Sequence, residues 1–574
     1  MRSIGKQAIL CLKPGRIQIL IQDYAGQKKC FPGNPESLHK GENTTMGMPL
    51  KPDNDNRRGA GILLPIHSLP SSCGIGNIGP AALSFIDFLA DAGQTYWQIL
   101  PLGPTSPAFG NSPYMSYSSL AGNPLFISPE LLLEQSLLKP TEITRDGFSE
   151  YLVDYPLVTE CNTKILRLAW QRFSSRPTGT ELEQFKRKNP WACDYALFLS
   201  LKKRYQQAPW YAWPKEIRLR KNRALARATT ELEGDINYHT FVQYLFFTQW
   251  EALHQYAGEK GIRIIGDLPI YVALDSVDVW VHQEIFELQK TSGRPKSVAG
   301  VPPDYFSPTG QLWGNPLYRW HARSTSVKKH LYDWWQQRLE AIFTMVDVVR
   351  IDHFRGFSSY WSVPAREKTA INGTWKKGPG ISFFREMEDR LGRMAIIAED
   401  LGSITPEVEQ LRDELGYPGM KILLFAFDGN TDNSYLPHNY TPNCVVYTGT
   451  HDNDTAVGWY LSPTTKPETR RRAKRQANQD NDDAASFHRD MIYLAHSSVA
   501  DIAVIPMQDI LGFGNDCRMN TPGTAEGNWR WRCAGRFITD ELGAWLYDVT
   551  VFFNRLNTKT ANGVQSDPSS DTGM

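Results

Sequence analysis

Three short stretches of this chain carry acids and cations directly behind runs of apolar residues. They are Arg350-Ile351-Asp352-His353-Phe354-Arg355-Gly356, Ala398-Glu399-Asp400-Leu401-Gly402 and Thr450-His451-Asp452-Asn453-Asp454-Thr455. Alternate residues of an extended strand share a face, so Arg350 and Asp352 point the same way. A guanidinium beside a carboxylate keeps it ionised and aimed, as a nucleophile at a sugar's anomeric carbon must be. Taken alone, an Arg-x-Asp pair reads more simply as a structural ion pair. Glu399 follows Ala395-Ile396-Ile397-Ala398. An acid in that position either caps the following turn, as Asp400 also would, or is kept partly protonated by desolvation. The second state is a general acid near neutral pH. The His451–Asp452 pair suits the hydroxyls of one sugar, the imidazole donating and the carboxylate accepting. A metal site there is disfavoured, because no partner cluster with metal spacing accompanies it. Glycosidic chemistry needs two carboxylates across an oxocarbenium-like transition state, and a third can grip neighbouring hydroxyls.

These residues can act together only if the fold brings their strand ends together. Short apolar runs at 60–64, 96–100, 262–267, 346–351, 394–398, 421–425, 444–448 and 502–506 read as strands, with helical patterns between them. Ala82, Phe85, Ile86 and Leu89 recur at helical spacing. So do Val408, Leu411 and Leu415, behind Thr405 as N-cap and Pro406, with Gly416 as the stop. Eight strand–helix units predict an α/β fold, a (β/α)8 TIM barrel, with a doubly wound sheet as the competitor. About 101–261 reads as a mainly helical insertion after strand 2, and about 271–328 as a smaller one after strand 3. Both would rise from the C-terminal face, where barrel active sites lie. Residues 1–58 read as a disordered extension and linker, 59–556 as the catalytic domain and 557–574 as a disordered tail.

Composition adds exclusions. The 574 residues carry a formal net charge of +1, which does not suggest a polyanionic partner. Eight scattered cysteines include no CxxC pair, so neither a zinc site nor a dense disulfide framework is expected. No apolar run reaches the ~18 residues of a membrane span. The first fifty residues lack a clear signal peptide; a disordered extension fits them better than a transit peptide, and Met46 or Met48 is a possible alternative start. Gly74-x-Gly76-x-x-Gly79 imitates a dinucleotide fingerprint, but the next strand runs into Pro101-Leu102-Gly103 and offers no ribose-binding acid. The basic run Arg470–Arg475 is flanked by acids and reads as a solvated helix face. The 17 tryptophans supply core packing or platforms for sugar rings.

The three stretches, taken with further ones, resemble glycoside hydrolase family 77, the 4-α-glucanotransferases also called amylomaltases or disproportionating enzymes. The further matches are Asn111-Ser112-Pro113-Tyr114, Gly266-Asp267-Leu268-Pro269-Ile270-Tyr271-Val272, Gly300-Val301-Pro302-Pro303-Asp304-Tyr305-Phe306 and Leu312-Trp313-Gly314-Asn315-Pro316-Leu317-Tyr318. The resemblance covers roughly residues 59–556. It implies that Asp352 is the nucleophile, Glu399 the acid/base and Asp452 the transition-state stabiliser. It further implies that Arg350 and His451 contact the nucleophile and the bound glucose, and that Asp267 belongs to the first shared motif. Tyr114 would stack on the glucose at the cleavage point, and Trp313, with Asn315 in the same motif, would serve the acceptor side. Pro302, Asp304 and Tyr305 would belong to a mobile loop over the groove. The activity implied is transfer of α-1,4-glucan segments by retaining double displacement between maltooligosaccharides or longer glucans. No cofactor, metal, nucleic acid or membrane is called for, monomer and dimer stay open, and a cytoplasmic or plastid location is expected. The alternatives are an α-glucan hydrolase and a non-catalytic glucan-binding protein.

Overall fold

The computed structural model describes residues 58–176, 180–303, 307–524 and 526–557, together with the backbone of three short strands at Gln7–Lys13, Arg16–Gln22 and Lys28–Lys29. These three pair antiparallel as one small sheet. The rest of the N-terminal extension and residues 558–574 of the tail expected from 557 lie outside the described residues, while Asn557 is buried.

Eight strands close into a parallel barrel: β1 (Gly59–Leu63), β2 (Tyr96–Gln98), β3 (Arg263–Pro269), β4 (Val348–Asp352), β5 (Ile396–Ala398), β6 (Gly419–Ile422), β7 (Cys444–Tyr447) and β8 (Ile502–Pro506). The ring is shut by β8 against β1, from Ile502↔Gly59 to Pro506↔Leu63. Every predicted strand is present, so the barrel and not the doubly wound sheet is the fold. β2 and β5 are two residues shorter than expected, β4 starts two residues later, and the largest shift is at β6: the strand starts at Gly419, and Leu423-Leu424-Phe425 turn away as a 3-10 helix. The strands are apolar on both faces because helices cover them outside and side chains fill them inside. At the floor of the barrel, buried Arg555 donates to the carbonyls of Gly59, His496 and Ala500. Asn557 reaches the carbonyls of Gln94 and Gly261.

The long interval after β2 holds a mainly helical layer, including Tyr155–Ser174 and Trp191–Arg204. It also contains a barrel helix that sequence periodicity did not separate, Glu233–Glu259. Trp250 and Tyr256 of this helix donate to Met345 O and Asp87 on the barrel side. Gln243 and Gln249 hold the backbone of Gly122 and Ser128 in the insertion. A helix packed on both sides shows no single apolar stripe.

The excursion after β3 contributes strands Ser297–Val301 and Gln311–Pro316. These join Ser359–Pro364 and Thr374–Lys377, which follow β4, in one antiparallel sheet above the barrel. The sequence reading did not foresee the contribution from behind β4. The helix Pro406–Glu414 starts after Thr405 as expected, and Gly416 follows it with φ +68°, a conformation that suits glycine. Of the basic run, Lys474 is buried against Asp490 at 2.8 Å, so that helix face is not wholly solvated. Gly76 packs where a side chain would collide with the Ile66 carbonyl, which accounts for a glycine there without any nucleotide.

Candidate active site

Strand register stacks the charged groups in layers at the carboxyl ends. Asp267 pairs with Arg350 and Pro269 with Asp352 between β3 and β4. Ile397 pairs with Arg350 and Ala398 with Ile351 between β5 and β4, and the Glu399 N–H continues the ladder to Ile351 O at 3.1 Å. Glu399 therefore stands level with Asp352, one strand away, above a layer formed by Arg350 and Asp267.

In that lower layer Arg350 is 3% exposed and Asp267 2% exposed, so each must find charge partners inside the fold. The Arg350 guanidinium donates to both Asp267 oxygens, at 2.8 and 2.7 Å, and lies 3.1 Å from Asp352 Oδ1. Burial opposes the Arg350 charge, but Asp267 and Asp352 outweigh it and raise its pKa well above the ordinary value. The nucleophile candidate thus rests on a cation that does not give up its proton. The Tyr114 hydroxyl donates to Asp267 at 2.8 Å. Its ring stacks beside His451, with centroids 5.1 Å apart and 19° between planes.

Glu399 accepts the His353 N–H at 2.7 Å on one oxygen and the Leu401 N–H at 3.1 Å on the other. His353 has φ +53°, an uncommon value for a side-chain-bearing residue, and this turn aims its N–H at Glu399. Burial pushes the Glu399 carboxyl up, Asp352 adds to the rise, and Arg350 and the His353 N–H oppose it; the balance is about 8. Asp400 does not share this environment. It pairs with Arg412 at 2.5 Å and accepts the Met420 N–H at 2.7 Å, a structural brace between β5 and β6.

Behind β7, His451 Nε2 lies 3.3 Å from Asp452, whose side chain is half exposed. The Asn520 amide donates to Asp452 Oδ1 at 2.5 Å, and Arg518 donates to the Asp452 carbonyl at 2.6 Å. What burial there is would raise the Asp452 carboxyl. The His451 charge and hydrogen bond, Asn520 and Arg350 outweigh it and hold it down at about 2. Asp454 is occupied by Arg518.

Trp313 stands edge-on to His353, with ring centroids 4.8 Å apart, and 6.3 Å from the Tyr271 ring. Asn315 is buried, and its amide donates to Val272 O at 2.9 Å, so in this structure it braces the backbone under Trp313. Pro302 ends the strand Ser297–Val301, while Asp304 and Tyr305 lie outside the described residues. The sequence reading missed Arg518, Asn520 and Trp529, all from the segment after β8. The Trp529 ring sits 5.8 Å from Tyr114 and 5.9 Å from His451. Among the described residues no group of three or more His, Cys, Asp or Glu is placed to hold a metal, and no helix is long and apolar enough to cross a membrane.

A (β/α)8 barrel with an arginine-held carboxylate, a glutamic acid whose carboxyl burial pushes up and a third acid held down at its carboxyl face has the equipment of an enzyme of glycosidic bonds. The family model described as 4-alpha-glucanotransferase matches residues 64–538. The chain is 47% identical over 517 residues to a 4-alpha-glucanotransferase of Synechocystis, covering 87% of this chain and 98% of that one. It is 44% identical over 492 residues to the Clostridium butyricum 4-alpha-glucanotransferase, covering 85% and 99%. Among solved structures, the amylomaltase of Streptococcus agalactiae in complex with acarbose superposes with TM-score 0.83 at 38% identity, covering 87% of this chain and 100% of that one. The chain belongs to glycoside hydrolase family 77, the 4-α-glucanotransferases.

Proposed function

We propose that the chain transfers α-1,4-glucan segments by a retaining double displacement, with Asp352 as nucleophile, Glu399 as acid/base and Asp452 as transition-state stabiliser. The observation that carries this reading is the strand register that sets Glu399, whose carboxyl burial pushes up to about 8, level with an Asp352 that Arg350 contacts at 3.1 Å. An acid that keeps its proton at neutral pH, beside an oriented carboxylate, is the pair that retaining glycoside chemistry requires.

In the first step an Asp352 oxygen bonds to the anomeric carbon as the bond from that carbon to the leaving 4-oxygen breaks. The Glu399 proton goes to that oxygen. In the second step the 4-hydroxyl of an incoming glucan gives its proton to Glu399 and bonds to the anomeric carbon, which releases Asp352. Two inversions give net retention. Asp452 and His451 grip hydroxyls of the sugar at the cleavage point, and Tyr114 stacks beside it. Trp313 and Tyr271 form the acceptor side. Maltooligosaccharides and longer α-1,4-glucans are donor and acceptor, a reading that the acarbose complex of the S. agalactiae relative supports.

Incubation with maltotriose tests the reading. Transfer gives glucose together with maltopentaose and longer oligomers at a constant number of reducing ends. Glucose and maltose alone, with rising reducing ends, would mean that the chain is a hydrolase. No turnover at all would leave a binding protein.

A further inference from the structure

Asp509 lies in the short helix Met507–Ile510 directly behind β8 and is 1% exposed. Its carboxylate makes two hydrogen bonds, both to the neighbouring strand's loop. One oxygen accepts the Thr448 hydroxyl at 2.5 Å, and the other accepts the Ala456 N–H at 2.7 Å. Thr448 is the first residue after β7, and Ala456 opens the helix that follows. The segment between them, Gly449–Thr455, carries His451, Asp452 and Asp454. One buried acid therefore ties down both feet of the loop that presents the third carboxylate.

The rest of the segment after β8 completes the support. Asn515 accepts the Thr455 N–H at 3.1 Å, Arg518 pairs with Asp454 and donates to the Asp452 carbonyl, and Asn520 donates to the Asp452 side chain. Burial pushes the Asp509 carboxyl up to about 6 against the pull of its two hydrogen bonds. Burying an acid costs free energy, and these two bonds are what it obtains in return.

We infer that Asp509 is a positioning residue for the reaction: it fixes the span of the Thr448–Ala456 loop and so the placement of His451 and Asp452 against the sugar. It touches no substrate and acts only through the loop. The inference rests on the role proposed above for Asp452.

The test compares four variants on maltotriose, with folding followed by circular dichroism. Asp509→Ala cuts both ties, and kcat falls ~10- to 100-fold with KM changed little, since misplacement of this kind acts on the transition state. Asp509→Asn can still accept the Ala456 N–H and donate to the Thr448 oxygen, so it restores kcat to within ~5-fold of the parent. Thr448→Val keeps the shape but loses one tie, and kcat falls ~3- to 10-fold; this variant decides the matter if Asp509→Ala does not fold. A purely structural role would lower Tm and leave kcat of the folded protein at 25 °C unchanged, and that result in Thr448→Val or Asp509→Ala would overturn the inference. Asp452→Asn is the control. If it stays active, the role of Asp452 fails; if it is inactive while Thr448→Val keeps full kcat, only the positioning role fails.

Discussion

Glu399 and Asp452 are carboxylates behind β5 and β7 at one mouth of the barrel, and the fold treats them in opposite ways. Glu399 follows β5 and is buried, which favours its proton; the Arg350 charge opposes that, Asp352 presents a like charge, and its hydrogen-bond donors are the neutral N–H groups of His353 and Leu401. Asp452 follows β7 and meets His451, the Asn520 amide and the field of Arg350. The first is pushed up to about 8 and the second held down at about 2. Proton affinity in this site is set by what faces each acid, not by the type of acid. Arg350, its guanidinium held by Asp267, lowers the proton affinity of both acids.

The strongest way to break this comparison is to remove Asp352, the proposed nucleophile. Asp352→Asn should lose ~10³-fold or more of maltotriose transfer with the fold intact, read as initial glucose release. Near-parent activity would refute its assignment as nucleophile. Glu399→Gln comes next, with a loss of ~10²–10⁴-fold. A glucosyl fluoride donor, whose leaving group needs no proton, should recover most of the first step. The proposed acid step uses the Glu399 proton, so kcat/KM should fall as pH rises through about 8, and this alkaline limb should be missing from the Gln variant. Asn520→Ala sharpens the Asp452 side: it removes a donor to an ionised acid, so Asp452 should titrate above about 2 and kcat should drop ~10-fold. An unchanged pH profile and rate would mean that His451 and Arg350 alone hold Asp452 ionised.

The two acids also differ in how much of their surroundings the sequence reveals. Asp352 and Glu399 stand directly behind apolar runs that can only be buried strands, so their level at the barrel mouth follows from alternation and register. Asp452 was legible on the same grounds. Its supports were not. Asn520 and Arg518 lie more than ten residues beyond β8, in irregular backbone whose path no periodicity encodes. Asp509 is different: it stands just behind the apolar run Ile502–Pro506, where an acid invites the question asked of the other three. The sheet that joins Ser359–Pro364 to Ser297–Val301 depends on long-range pairing, which neither segment states by itself. The helix Glu233–Glu259 was hidden because it is covered on two sides and therefore lacks an apolar stripe.

The smallest expected effect concerns stability and follows from the proton on Glu399. An unfolded chain releases it near pH 4.5, whereas the folded chain keeps it to about 8. Between those values unfolding releases a proton, so rising pH favours unfolding. The contribution is fully present below pH 4.5 and is lost progressively as pH climbs through about 8. The slope is about 1.4 kcal/mol per pH unit. Glu399→Gln does not titrate and should be free of this slope. Its amide nitrogen, however, faces one of the two backbone N–H donors, at a cost of ~1–3 kcal/mol that does not vary with pH. The sign of the stability difference at a single pH therefore decides nothing. The Tm of Glu399→Gln minus that of the parent, followed from pH 5 to 8, does decide, because titrations common to both proteins cancel. The difference should rise steadily across that window, and parallel Tm curves would mean that the acid is not held protonated by the fold.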